Sequence, residues 1–117
     1  MNQIELKQRT KEFALRVMKL LDALPNTRSG NAIGNQLVRS GTSVGANYRA
    51  TCRARSKAEF IAKIGVVEEE ADESGFWMEL TVDGQLLPAS KVSALLQEAN
   101  ELTAIMAASR ISASRRR

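Results

Sequence analysis

Apolar side chains recur along the 117-residue chain at steps of three and four residues, the spacing of one helix face. The first such stripe ends at the stretch LPNTRSG, where Pro25 disfavours the α conformation of the residue before it. The pattern therefore predicts a first helix that ends near Leu24. The predicted buried face of this helix comprises Leu6, Thr10, Phe13, Val17, Leu20 and Leu24.

Two further helices follow in the middle of the chain. The second is predicted from about Asn31 to Arg53. Ser56, followed three residues later by Glu59, is typical of a capping box and predicts the start of the third helix. Its predicted core stripe comprises Phe60, Ile64, Val67, Ala71, Ser74, Met78 and Val82.

The stretch DGQLLPAS separates the third helix from a fourth. Gly84 is expected at the C-cap, and Pro88 at or near the start of the next helix. Three short connections between four long helices imply antiparallel neighbours. We therefore predict an all-α, up-down-up-down four-helix bundle over residues 1–112, followed by a basic tail at 113–117. The fourth core stripe comprises Val92, Leu95, Leu96, Ala99, Leu102, Ile105, Met106 and Ser109.

The net charge of +4 is distributed unevenly. Residues 28–57 carry six cations and no acid, whereas residues 58–84 carry eight acids and one lysine. If these two helices are antiparallel neighbours, much of this charge can be neutralised within the protein. The basic composition alone therefore does not establish a nucleic-acid ligand.

The composition also argues against an enzyme. The chain has no histidine and one cysteine, Cys52, so no Ser-His-Asp or Cys-His set can be assembled. Di-iron bundles need Glu-x-x-His ligand pairs, which are likewise ruled out. We expect no catalytic residue, no metal and no cofactor. The N-terminus lacks the apolar run of a signal peptide, and no segment approaches a membrane span, so we expect a soluble cytoplasmic protein.

The second helix carries a stripe of four glycines, Gly30, Gly34, Gly41 and Gly45, on one side. Each interior glycine costs about 1 kcal/mol relative to alanine, so the stripe indicates close approach of another helix. The alternative interpretation, a phosphate-binding loop in SGTSVG, lacks the Gly-Lys-Ser/Thr ending of a P-loop and a preceding strand.

The third helix repeats this excess of packing surface, because it carries apolar residues, including the one tryptophan, opposite its core stripe. An exposed apolar patch of this kind usually marks an interface. We therefore predict an oligomer built mainly through the second and third helices. The interface candidates are Gly34, Gly41, Gly45, Tyr48, Val66, Phe76, Trp77 and Leu80.

A polar network is predicted between these two helices. Counting back from the turn near Arg55 places Arg39 level with Asp72. Salt bridges are the favoured interpretation of the acidic cluster, and Asn47 is expected to form an interhelical hydrogen bond. The predicted network comprises Arg39, Asn47, Glu69 and Asp72.

Residues 37–81, LVRSGTSVGANYRATCRARSKAEFIAKIGVVEEEADESGFWMELT, resemble the signature of four-helix-bundle proteins encoded in 23S rRNA intervening sequences. That family is similar to the accessory variability determinant of diversity-generating retroelements. The resemblance implies a non-enzymatic homopentamer whose basic surface engages RNA or an RNA-processing protein. The matching positions are Arg39, Ser40, Ser43, Asn47, Glu59, Phe60 and Glu69.

The predicted function is thus an oligomeric scaffold or adaptor with a nucleic-acid-binding surface. The alternative is a purely structural protein assembly in which the basic and acidic helices neutralise each other. The candidate nucleic-acid-binding residues are Arg28, Arg49, Arg53, Arg55, Lys57, Arg115, Arg116 and Arg117.

Overall fold

A computed structural model describes residues 1–116 of the chain. Within this range the protein consists of four α-helices and contains no β-strand. The helices are α1 (Gln3–Leu21), α2 (Arg28–Thr51), α3 (Lys57–Asp83) and α4 (Ala89–Arg115). They form an elongated body of 50 × 21 × 18 Å. The predicted all-α four-helix bundle is confirmed.

The helices begin where side chains can cap them. Thr27 accepts a hydrogen bond from the Gly30 amide at 3.0 Å, so α2 starts at Arg28, three residues before the predicted start. Ser56 caps α3 as predicted, with the Glu59 amide at 3.1 Å. The Glu59 carboxylate, however, accepts from the Arg55 amide instead of reaching back to the amide of Ser56, so the capping box is incomplete.

The end of α3 is a Schellman motif. Gly84 is the C-cap, as predicted. The left-handed residue is the next one, Gln85, with φ 61°. The Leu86 amide then donates to the Thr81 carbonyl at 2.9 Å, and the Gln85 amide donates to the Val82 carbonyl at 3.0 Å. The motif turns the chain towards α4, which begins directly after Pro88.

Each helix packs against two neighbours in the order α1, α2, α3, α4 and back to α1, so α1 lies diagonally opposite α3. The buried stripes agree closely with those predicted, and Leu6, Thr10, Phe13, Val17 and Leu20 of α1 are all buried. In α4, the predicted residues Leu96, Ile105 and Ser109 are only partly buried. The helix continues to Arg115 and so includes part of the predicted tail. Arg117 lies outside the described residues.

The glycine stripe of α2 packs against α1 of the same chain. A Cβ atom on Gly41 would lie 2.9 Å from both γ-carbons of Val17, and one on Gly45 would lie 3.4 Å from the Thr10 carbonyl oxygen. Glycine is favoured at position 41 because a Cβ atom there would overlap the Val17 side chain of α1. The stripe therefore serves a contact between helices of one chain.

This finding corrects the prediction that Gly41 and Tyr48 contact another copy, whereas for the partly buried Gly34 and Gly45 it stays a prediction. Gly41 and Tyr48 are buried inside the bundle, and Gly34 faces Leu21 and Leu24. Burial also raises the pKa of Tyr48.

Candidate nucleic-acid interface

The antiparallel arrangement brings cations together at one end of the bundle. This end contains the start of α1, the end of α2, the start of α3 and the end of α4. Arg116 and Phe60 line the same small pocket there, which shows that the end of α4 lies beside the first turn of α3. We call this region the basic end. Its exposed cations are Arg53, Arg55, Lys57, Arg115 and Arg116.

A groove of about 740 Å³ runs between α1 and α2 beside the basic end. Its lining contains three cations and no acid, with Lys7 and Lys11 on α1 and Arg49 on α2. We call it the basic groove. Lys7 and Lys11 lie one helical turn apart, about 6 Å along the axis, so they form a row on one wall. Arg49 lies on the opposite wall, and Arg53 is exposed one turn beyond it.

Small residues keep the basic groove open. Its lining includes Ala14, Gly45 and Ala46. Because the α1–α2 contact depends on glycines, the two helices are close, and no large side chain fills the space above their contact. Between its charged walls the groove is therefore lined partly by small residues.

Three arginines elsewhere in the bundle, Arg9, Arg39 and Arg110, are neutralised by acids of the same chain. Arg9 forms a two-pronged ion pair with Glu98, with Nη2–Oε1 and Nε–Oε2 distances of 2.6 and 2.7 Å. The hydrogen bonds that Arg9 donates to the Glu98 carboxylate raise the pKa of Arg9. Arg110 donates to Glu68 on α3 at 2.7 Å. In contrast, no acid within residues 1–116 pairs with the three cations of the basic groove. Arg16, Lys19 and Lys91, which line a smaller cavity between α1 and α4, also have no ion-pair partner among residues 1–116.

The structure brings together most of the predicted nucleic-acid-binding residues, and it separates one. Arg28 begins α2, so it lies about 32 Å along that helix from Arg49. Arg117 lies outside the described residues. Sequence reasoning missed Lys7 and Lys11. Their four-residue spacing was visible, but their role depends on α2 forming the second wall.

The predicted polar network between α2 and α3 exists with different partners. Arg39 binds Glu70, at 3.1 Å, and Glu73, instead of Glu69 or Asp72. The Asn47 side-chain amide donates to the Ser43 carbonyl of its own helix at 2.9 Å. The prediction of an interhelical hydrogen bond from Asn47 is therefore wrong.

The buried polar contact between α2 and α3 is made by two serines. The hydroxyl oxygens of Ser40 and Ser74 lie 3.0 Å apart, and both residues are fully buried. Ser74 also donates to the Glu70 carbonyl at 2.8 Å.

The outward side of α3 carries the predicted apolar residues, interspersed with Glu69 and Glu73. Val66 and Phe76 are 41% and 50% exposed, and Trp77 and Leu80 are partly exposed. The Trp77 indole packs edge-on against the Phe76 ring, with centroids 5.1 Å apart. Its Nε1 donates to Glu73 at 3.0 Å. We call Val66, Phe76, Trp77 and Leu80 the apolar face of α3.

Residues 1–116 contain neither a metal-ligand cluster nor a membrane-spanning helix. No group of three or more histidine, cysteine, aspartate or glutamate side chains is arranged there to hold a metal ion. No helix in this range combines the length and the hydropathy that a bilayer-spanning segment requires.

The model of one protein family, the 23S rRNA-intervening sequence proteins, matches residues 2–108. The chain belongs to this family. The fold is also similar to a crystal structure from Bacteroides thetaiotaomicron, described as a protein of unknown function from the S23 ribosomal protein family. The two chains are 30% identical with a TM-score of 0.83, over 90% of this chain and 97% of that one. No curated protein is significantly similar in sequence. The family match and the similar crystal structure thus agree on the fold.

Proposed function

We propose that this protein is a non-enzymatic, oligomeric helical scaffold that binds RNA through the basic groove and the basic end. The observation that carries the proposal is the groove itself. It has cations on both walls, no acid in its lining and no neutralising partner among residues 1–116.

The placement of ion pairs supports this proposal. The chain has enough acids to pair many of its cations, and it uses them at Arg9, Arg39 and Arg110. The groove cations are left free where two helix walls converge. Cations held in this way bind phosphates and release counterions, which supplies most of the affinity of non-specific RNA binding.

The test is a fluorescence-anisotropy titration with a structured RNA at several salt concentrations. The variant Lys11→Gln/Arg49→Gln removes one cation from each wall of the groove. Each phosphate contact contributes about −0.9 to the slope of log K against log [salt] on a duplex region, so we expect the magnitude of this slope to decrease by about 1.8 in the variant. Arg28→Gln is a matched control, since Arg28 is also an exposed α2 arginine but lies at the other end of the helix.

A wild-type protein that binds no structured RNA at 50 mM salt would contradict the proposal. So would a loss of binding free energy in the groove variant no greater than about twice the loss in Arg28→Gln, because the variant removes two charges and the control one, and a dependence on net charge alone gives that ratio.

The oligomeric part of the proposal rests on the apolar face of α3. Burial of Phe76 and Val66 against another copy would remove two large apolar side chains from water. A homopentamer is the assembly that we favour. Light scattering should show an oligomer at micromolar concentration, and Phe76→Glu should shift it towards monomer. A wild-type monomer would rule out the scaffold.

A second candidate function is a purely structural assembly without RNA. It is favoured by one observation, the exposed acids Glu69 and Asp72 on α3, which have no ion-pair partner among residues 1–116. In this case the acids of one copy would neutralise the basic groove of another. An oligomer that dissociates in 1 M salt and binds no RNA would favour this function.

A further inference from the structure

The aromatic side chains of the protein all lie away from the basic groove. The chain has five: three phenylalanines, one tyrosine and one tryptophan. Phe13 is fully buried and Tyr48 is 5% exposed. The other three, Phe60, Phe76 and Trp77, are on α3, whereas the groove is formed by α1 and α2. No aromatic ring is among the residues that line the groove.

This absence bears on the kind of nucleic acid that the groove can hold. Proteins that bind single strands stack successive unpaired bases on aromatic rings or guanidinium planes, in addition to contacting phosphates. The groove offers one guanidinium, that of Arg49, and two lysines, which cannot stack. Its remaining lining is aliphatic or small, apart from Gln8 and Thr42. Such a surface can contact a phosphate backbone but offers few stacking partners to unpaired bases.

A double helix suits this surface better for two reasons. It keeps its bases stacked internally, so it needs no aromatic partner, and it presents a higher density of phosphate charge than a single strand. In addition, the groove has cations on opposite walls and small residues between them, which allows a ridge of sugar-phosphate backbone to enter.

We propose that the basic groove binds double-helical nucleic acid in preference to single strands, by contacts to the phosphate backbone and without reading the bases. This inference rests on the proposed function, since it names the ligand class of the same groove. The groove cations Lys7, Lys11 and Arg49 contact phosphates.

The size of the preference follows from counterion release. Three phosphate contacts give a salt slope of about −2.7 on a duplex and about −2.1 on a single strand. If the two affinities are equal at 1 M salt, where this electrostatic contribution is small, the duplex binds about fourfold more tightly at 0.1 M salt.

The experiment compares four probes with the full-length protein at 0.1 M salt. They are the 20-mers oligo(rA) and oligo(rU), the duplex that these two strands form, and the corresponding DNA duplex. The two single strands supply the same bases as the RNA duplex, so that sequence is held constant. Anisotropy is measured for the wild type, for Lys11→Gln/Arg49→Gln and for the Arg28→Gln control.

We expect the RNA duplex to bind at least about fourfold more tightly than either strand, and the groove variant to lose this preference while the control keeps it. Equal affinity for both duplexes would support backbone recognition in general, and tighter binding of the RNA duplex would support recognition of its A-form shape. Equal or tighter binding of a single strand would overturn this inference and leave the proposed function standing. Binding to none of the probes would overturn both.

Discussion

Replacing Gly41 with alanine tests whether the close contact between α1 and α2 is set by the missing side chain. A Cβ atom there would lie 2.9 Å from both γ-carbons of Val17 and 3.2 Å from its Cβ. Val17 is fully buried and β-branched, so one χ1 rotamer is strongly preferred within the helix and the side chain moves away only at a cost in free energy. Alanine gains about 1 kcal/mol in helix propensity, but overpacking of a closed core costs about 1–3 kcal/mol. We expect a net destabilisation of about 1 kcal/mol, or about 4 °C in Tm.

The assay is urea unfolding followed by circular dichroism at 222 nm. Gly65→Ala is the matched control, because its Cβ would meet nothing closer than the Arg110 Cδ at 3.9 Å. That variant should gain stability, up to about 1 kcal/mol, from helix propensity alone. Val17→Ala should lower the free energy of unfolding less in the Gly41→Ala background than in the wild type, because in that background it also relieves the clash. If Gly41→Ala were as stable as Gly65→Ala, the steric argument would be refuted.

Three other predictions concern local contacts. Gln85→Gly should stabilise the protein by about 1 kcal/mol, since Gln85 has φ 61° and glycine adopts this conformation freely; a lower urea midpoint would contradict this. We expect Ser40→Ala and Ser74→Ala each to lower the free energy of unfolding by about 1 kcal/mol. The double variant should lose less than the sum of the two single losses, because the two hydroxyls are partners; additive losses would argue against that pairing. Arg9→Gln should lower the free energy of unfolding by about 1 kcal/mol at 50 mM salt and by less at 1 M, because salt screens its pair with Glu98; the same loss at both concentrations would point to lost packing instead.

The fold was predictable because local patterns and the tertiary structure agree. The apolar stripe of α1 was predicted almost in full, and the Ser56 cap follows from a side chain that acts within one turn. Gly84 is the C-cap as predicted, but the left-handed conformation that favours glycine at a helix end belongs to Gln85. Helix boundaries were less accurate. The α2 start was placed at Asn31 because Arg28, Ser29 and Gly30 look like a turn, whereas the Thr27 cap makes them the first residues of the helix.

The partners of each helix face were harder to predict. The glycines of α2 correctly indicated close packing, but a periodic pattern does not show whether the neighbour is α1 or another copy of the chain. Arg39 was placed near the correct turn of α3, yet a shift of one or two positions exchanges Asp72 for Glu70 and Glu73. The basic groove depends on residues 7–14 and 42–49, which come together only when two helices pack.

The order of the helices around the bundle has a consequence for the folding pathway. Three of the four helix contacts join helices that are consecutive in the chain, and the smallest joins α1 to α4. Hairpins of consecutive helices can close quickly because their loops are short, whereas the α1–α4 contact requires the whole chain to return on itself. Because the contact of α1 with α2 is also smaller than that of α4 with α3, we expect α1 to detach first when the bundle opens partially. In native-state hydrogen exchange, its amides should exchange at a lower free energy than those of α2 and α3.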